Sequence, residues 1–206
     1  MFLISNSVTK IISIVSSEPT IQMPVRFSIK YIDNTNYNKL LIFYIEFDGK
    51  YLELEFNYKE GDSQGILISC ELINYHEKFQ IIDGIYTLSE DISKDIPLFD
   101  LNNGFQIEPT KNPYIVKKST HDFGLIKYEN AIQINFSTSK SNKKFTIGEK
   151  ILIGLDTDNN LNEIVILNLS DIEEDLINLK LSDQENKKYD LSSETLKYLK
   201  ETRNLS

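Results

Sequence analysis

Tryptophan is absent from this chain and cysteine occurs once, as Cys70. One thiol excludes an internal disulfide framework and agrees with a reducing compartment. Cys70 also sits inside the apolar run ILISCELI, where a thiol serves as a small buried hydrophobe and not as a nucleophile. The 8 glycines are scattered at turns and form neither GxGxxG nor GxxxxGK, which excludes a phosphate-cradling loop. Histidine is represented only by His76 and His121. Neither has metal-ligand spacing, and no Ser or Cys occupies a nucleophile elbow, so both read as turn or surface residues. No run approaches the roughly 20 continuous apolar residues of a membrane helix. The first residues, MFLISNSVTKIISIVSS, lack a basic start, and Asn6 and Lys10 interrupt the apolar part, unlike a secretory signal. Cations are also scarce: 22 Lys and Arg face 31 Asp and Glu, for a net charge of -9. That balance repels phosphates and argues against nucleic acid as a partner. The composition therefore predicts a cytoplasmic, non-enzymatic protein with no cofactor, no metal and no membrane or nucleic-acid partner.

With 40% hydrophobic and 26% charged residues the chain is globular, and its core has to come from Ile, Leu, Phe and Tyr. Strand signals dominate. The apolar run Leu40 to Phe47 reads as buried on both faces; in Lys50 to Tyr58, Leu52, Leu54 and Phe56 alternate with Glu53 and Glu55. Asp48-Gly49 between them is a strong hairpin signal, because the tight turn needs positive φ twice. Further strands are predicted at Gly65–Asn74, on either side of Asp83-Gly84 (Phe79–Ile82 and Ile85–Leu88), after Asn102-Asn103-Gly104, and at Tyr114–Lys118, Leu125–Phe136, Phe145–Leu155 and Leu161–Leu169. Pro109 and Pro113 mark the best boundary between a half at 1–108 and a half at 114–206, unless both belong to one continuous domain.

Helices come late. Ser170-Asp171-Ile172-Glu173 matches a capping box, and Ile172, Leu176 and Leu179 form one apolar stripe. A second helix is predicted from Ser193 to about Thr202, with Leu196 and Leu199 inward and Lys197 paired to Glu201. The expected fold class is α+β, predominantly antiparallel β in tandem hairpins or a meander, with short C-terminal helices.

Charge is sorted along the chain. Between Lys150 and Lys180 there is no Lys or Arg, yet there are seven carboxylates: Asp156, Asp158, Glu163, Asp171, Glu173, Glu174 and Asp175. The stretch from Lys111 to Lys150 instead carries eight lysines against Asp122, Glu129 and Glu149. Such sorting produces a directional field that steers a partner of opposite sign. The carboxylates of the predicted helix also have a local reason, since negative charge is favoured in a first helical turn. Asp156-Thr157-Asp158-Asn159-Asn160 begins like a calcium loop, but Leu161 stands where Gly is needed and Leu167 where the bidentate Glu belongs, so it reads as a turn. Glu53 and Glu55 share a strand face at a spacing that any half-exposed strand produces, which is no signature of glycoside chemistry. Lys140, Lys143 and Lys144, without interleaved aromatics, read as a solvated loop.

The hairpins around Asp48-Gly49 and the segment ILIGLDTDNNLNEIVILNLSDIEED resemble the small acidic β-rich immunity proteins of bacterial contact-dependent and polymorphic toxin systems. The Ile-, Lys- and Asn-heavy vocabulary is similar to that of an AT-rich bacterium. The resemblance implies a cytoplasmic protein, monomeric or a small homo-oligomer, that binds a toxin domain with a basic cleft and blocks it. The seven carboxylates above are the expected partner-binding residues. The alternative expectation is a structural or assembly subunit, phage- or plasmid-encoded, that oligomerises through strand edges.

Overall fold

The computed structural model describes residues 3–8, 13–31, 39–59, 63–74, 79–88, 91–101, 114–184 and 188–203. In chain order the strands are β1 (Leu3–Val8), β2 (Ser13–Ser17), β3 (Val25–Tyr31), β4 (Lys39–Phe47), β5 (Lys50–Tyr58), β6 (Gln64–Asn74), β7 (Gln80–Ile81) and β8 (Ile92–Ser93). They continue as β9 (Ile96–Asp100), β10 (Tyr114–Ser119), β11 (Gly124–Lys127), β12 (Ala131–Asn135), β13 (Lys143–Ile147), β14 (Ile151–Leu155) and β15 (Leu161–Leu167). Two helices close the chain, α1 (Asp171–Gln184) and α2 (Ser193–Arg203). The protein is thus mostly β, in antiparallel and mixed sheets, with short C-terminal helices. None of its described helices is long and apolar enough to cross a membrane.

The β4–β5 hairpin forms as its sequence requires. Asp48 and Gly49 both take positive φ, 47° and 78°, and the ladder runs unbroken from Phe47↔Lys50 to Lys39↔Tyr58. β4 is buried on one face and half-buried on the other, not on both, because its alternate residues Ile42 and Tyr44 lie on the outer face of the sheet. β5 and β6 extend the pairing, and the long β6 shares its other edge between β9 at Gln64 and Gly65 and β3 from Ser69 to Leu72. This larger sheet runs β1-β9-β6-β5-β4-β10, with β2 and β3 branching from β6. The smaller sheet runs β7-β11-β12-β15-β14-β13-β8. Alternate residues of both sheets, among them Phe27, Phe43, Phe56 and Phe99 of the first and Ile134, Phe145, Ile153 and Ile164 of the second, join in one contiguous apolar core. Each fully buried Phe or Leu in that core contributes roughly 1.5–3 kcal/mol of transfer free energy.

The strand pairing does not follow the expected boundary at 109–113, which itself lies outside the described residues. β10, from the later half, pairs in parallel with β4, whereas β7 and β8, from the earlier half, form both edges of the smaller sheet. Nor does Asp83-Gly84 join a hairpin: from β7 the chain travels to the opposite edge of the sheet. Residues 82–88 form a strap on the outer face, where Tyr86 and, beyond it, Ile92 pack on Ala131, Leu152, Val165 and Leu167. The strand predicted at 105–108 lies outside the described residues.

The capping box is present. Ser170 Oγ accepts from the Glu173 amide at 3.3 Å and Glu173 Oε2 accepts from the Ser170 amide at 2.8 Å. α1 buries Leu176 and Ile177 rather than the stripe through Ile172 and Leu179, since Ile177 is the residue that reaches the main core. In α2, Leu196 is 45% exposed, contrary to expectation, and Thr195 is the fully buried residue.

Candidate functional site

The seven carboxylates do not form one face. Asp156 closes the β14–β15 turn on itself: Oδ1 accepts from the amides of Asp158 and Asn160, both at 2.9 Å. Burial raises its pKa, but these bonds and the Asn160 side chain outweigh that and hold it below the ordinary carboxylate value. Glu173 is buried, takes Lys150 Nζ at 2.5 Å and Ser17 Oγ at 2.6 Å, and is held below its usual range despite its desolvation. Asp175 accepts from Tyr189 Oη, the Ser192 amide and Thr195 Oγ1 at 2.7–2.9 Å and so fastens the start of α2. Although burial opposes ionisation there, those bonds lower its pKa to about 2. Glu163 is buried on the outer face of the smaller sheet. That leaves Asp158 and Asp171 exposed and Glu174 half-buried. The length of β15, about 23 Å for seven residues, separates Asp158 from the other two. Local bonding, which spacing along the sequence cannot reveal, consumes most of the charge that the sequence assigned to a partner.

A different acidic surface is assembled by strand register. On the outer face of the larger sheet Glu53 of β5 stands directly opposite Glu71 of β6, and Glu55 follows two residues along. Tyr44 of β4 is the cross-strand partner of Glu53 on the other side, and Arg26 of β3 that of Glu71. Arg26 Nε lies 2.7 Å from Glu71 Oε1, an ion pair across β3 and β6. Partial burial raises the pKa of Glu55, and the charges of Glu53 and Glu71 raise it further, together with a hydrogen bond shared with Glu53. Glu71 is raised by burial, only partly offset by Arg26, with Glu53 adding to the rise. Tyr44 is pushed up to about 12 by burial, by its hydrogen bond to Glu53 and by the surrounding carboxylates.

Like charges directly opposed across a ladder destabilise a sheet, so folding alone gives no reason for Glu53 and Glu71 to face each other. Sequence reasoning saw Glu53 and Glu55 as ordinary alternation and had no means of adding Glu71. Only the β5–β6 register, with its shift between Glu55 and Phe56, brings the third carboxylate alongside.

The other candidates have structural roles. Asp122 pairs with the buried Lys50 at 2.9 Å, and Lys50 also donates to the Phe123 carbonyl at 2.6 Å. His121 Nε2 lies 2.9 Å from the Phe136 carbonyl, not on a carboxylate. Cys70 is fully buried and its thiol is pushed up by desolvation. His76 lies outside the described residues. Among the described residues no group of three or more His, Cys, Asp or Glu is arranged to hold a metal ion. No family model matches the chain, and no curated protein matches it.

Proposed function

We propose that the chain is a non-enzymatic protein-binding module that captures a basic partner on the outer face of its larger sheet. The observation that carries this reading is the cross-strand opposition of Glu53 and Glu71, with Glu55 adjoining and Arg26 paired to Glu71. A cationic surface laid on this face relieves a repulsion that the free protein has to tolerate. The tyrosines alongside it, Tyr44 and Tyr51, are of the type enriched where proteins bind one another. An immunity-type inhibitor, blocking the basic cleft of a toxin domain in the bacterial cytoplasm, is the instance that the sequence pattern resembles. The assembly alternative draws no support from the smaller sheet, whose edges end in the two-residue strands β7 and β8, an arrangement that discourages edge-to-edge pairing.

The test is association with the basic domain expected from the gene adjoining this one, measured by stopped flow at several salt concentrations. The triple variant Glu53→Gln, Glu55→Gln, Glu71→Gln should associate roughly tenfold more slowly at low salt and show a flatter salt dependence. A second triple, Asp158→Asn, Asp171→Asn, Glu174→Gln, removes the same charge elsewhere and should change the rate far less. Equal slowing by both triples would mean that net charge and not this face governs binding; absence of any complex would overturn the reading.

A further inference from the structure

The outer face of the smaller sheet is divided in a way that packing of the strap does not require. Under Tyr86 and Ile92 it is apolar, with Ala131, Leu152, Val165 and Leu167. One residue pair further along the same strands it turns polar, and four residues fall in one transverse row: Asn135 on β12, Glu163 on β15, Gly154 on β14 and Lys144 on β13. Gly154 supplies no side chain, and a Cβ there would collide with Glu163 Oε1 and Ser141 Oγ. Across that gap Lys144 Nζ reaches to 3.5 Å from Glu163 Oε1, although the two residues stand two strands apart. Three members of this row, Asn135, Glu163 and Lys144, line a cavity of about 350 Å³ together with Tyr86, Tyr128 and Gln133, a volume within the range of small-molecule sites.

The polar groups of this lining are held in place from behind. Gln133, nine-tenths buried or more, donates to Asn135 Oδ1 at 2.8 Å and to Glu163 Oε2, and accepts from Tyr128 Oη at 3.0 Å. Lys144 donates to Tyr86 Oη at 2.9 Å. Tyr86 and Tyr128 meet edge to face with ring centroids 5.2 Å apart. A buried ion pair is commonly replaceable by apolar side chains without loss of stability, and the adjoining half of the face shows that apolar residues pack against this strap. The polar half therefore answers to something other than folding.

We propose that this cavity binds a neutral, polyhydroxylated ligand, a saccharide. The charges of Glu163 and the half-buried Lys144 face each other and cancel, so an ion entering the cavity gains little from either. What the cavity offers is a set of preoriented amide and hydroxyl groups beside two phenol rings, which suits a ligand with many hydroxyls and an apolar ring face. The site is independent of the acidic face on the other sheet and does not rest on the protein-binding reading.

The experiment is an amide-shift titration of the isotope-labelled full chain with glucose, maltose and N-acetylglucosamine in turn, with inorganic phosphate and glycine as charged comparisons. A saturable response to at least one of the sugars, confined to the amides around Gln133, Gly154 and Glu163, is expected. It should weaken roughly three- to tenfold in Tyr128→Phe and in Asn135→Ala, the loss of about one hydrogen bond in each. Tyr128→Phe keeps the ring and its packing, so it separates binding from folding should Asn135→Ala unfold. Three results overturn the proposal: no sugar moves these amides, only phosphate or glycine does, or sugar binding is unchanged in both variants.

Discussion

Lys150 folds back onto Glu173, Nζ to Oε2 at 2.5 Å, and joins the turn between β13 and β14 to the first turn of α1. Along the chain these residues bound and populate a segment that looks uncompensated, whereas in space the boundary cation neutralises a buried carboxylate. Glu173→Ala should therefore destabilise the protein by about 3 kcal/mol, since it leaves Lys150 without its partner and undoes the capping box. Urea unfolding at neutral pH measures this, and a loss under about 0.5 kcal/mol would mean the pair is dispensable. Glu173 and Asp175 both have folded pKa values below their unfolded ones, so their contributions are complete above the ordinary values of 4.5 and 3.8. The contributions fade as pH falls, that of Asp175 down to about pH 2. Acid unfolding of the wild type should show this slope, and the Glu173→Ala variant should lack part of it.

Glu55 has the opposite sign. Its folded pKa is raised, so its proton favours the folded state in acid and the advantage is lost as pH rises through the folded value. At neutral pH the ionised Glu55 is a liability, and Glu55→Gln should raise Tm by roughly 1–3 °C. The gain should shrink as pH falls through the raised folded value and be lost below 4.5, the ordinary value of this carboxyl. A variant that melts lower at neutral pH would show that the carboxylates of this face do not repel.

Gly154→Ala should destabilise by about 1–3 kcal/mol, because the new methyl meets Glu163 and Ser141 in a row that has no slack. Thermal melting measures the loss. A neutral substitution would indicate that Glu163 has room to move and that Lys144 does not depend on the gap.

The fragments 1–108 and 114–206 should each fail to fold when made alone. The first lacks β10 and the main body of the smaller sheet; the second lacks β7, β8 and the sheet that covers its core. Mixing them should restore β-sheet circular dichroism, and independent cooperative melting of either fragment would contradict the interleaved topology.

Elements whose cause is local were legible in the sequence. The Asp48-Gly49 hairpin needs two positive φ values, which Asp and Gly tolerate, and the start of α1 needs two side chains three residues apart. The Lys197–Glu201 pair followed likewise from helical spacing and is present at 3.9 Å. Asp83-Gly84 carried the same signal as Asp48-Gly49 and made no hairpin. Gly84 does take positive φ, 133°, but the segment after it is recruited to the far edge of a sheet.

Composition and alternation by themselves determined a β-rich chain with apolar stripes, a capped helix near its end and an excess of negative charge. Only the tertiary structure decided which carboxylates are bonded within the fold and which share an outer face. Glu173 and Asp175 were engaged by bonds to residues that only folding brings close, and Asp156 by its own turn, whereas Glu53, Glu55 and Glu71 were gathered by the pairing of β5 with β6. The physical reason is that charge along a chain is a property of covalent order, whereas the field at a surface depends on distances and solvation, which strand register and burial set.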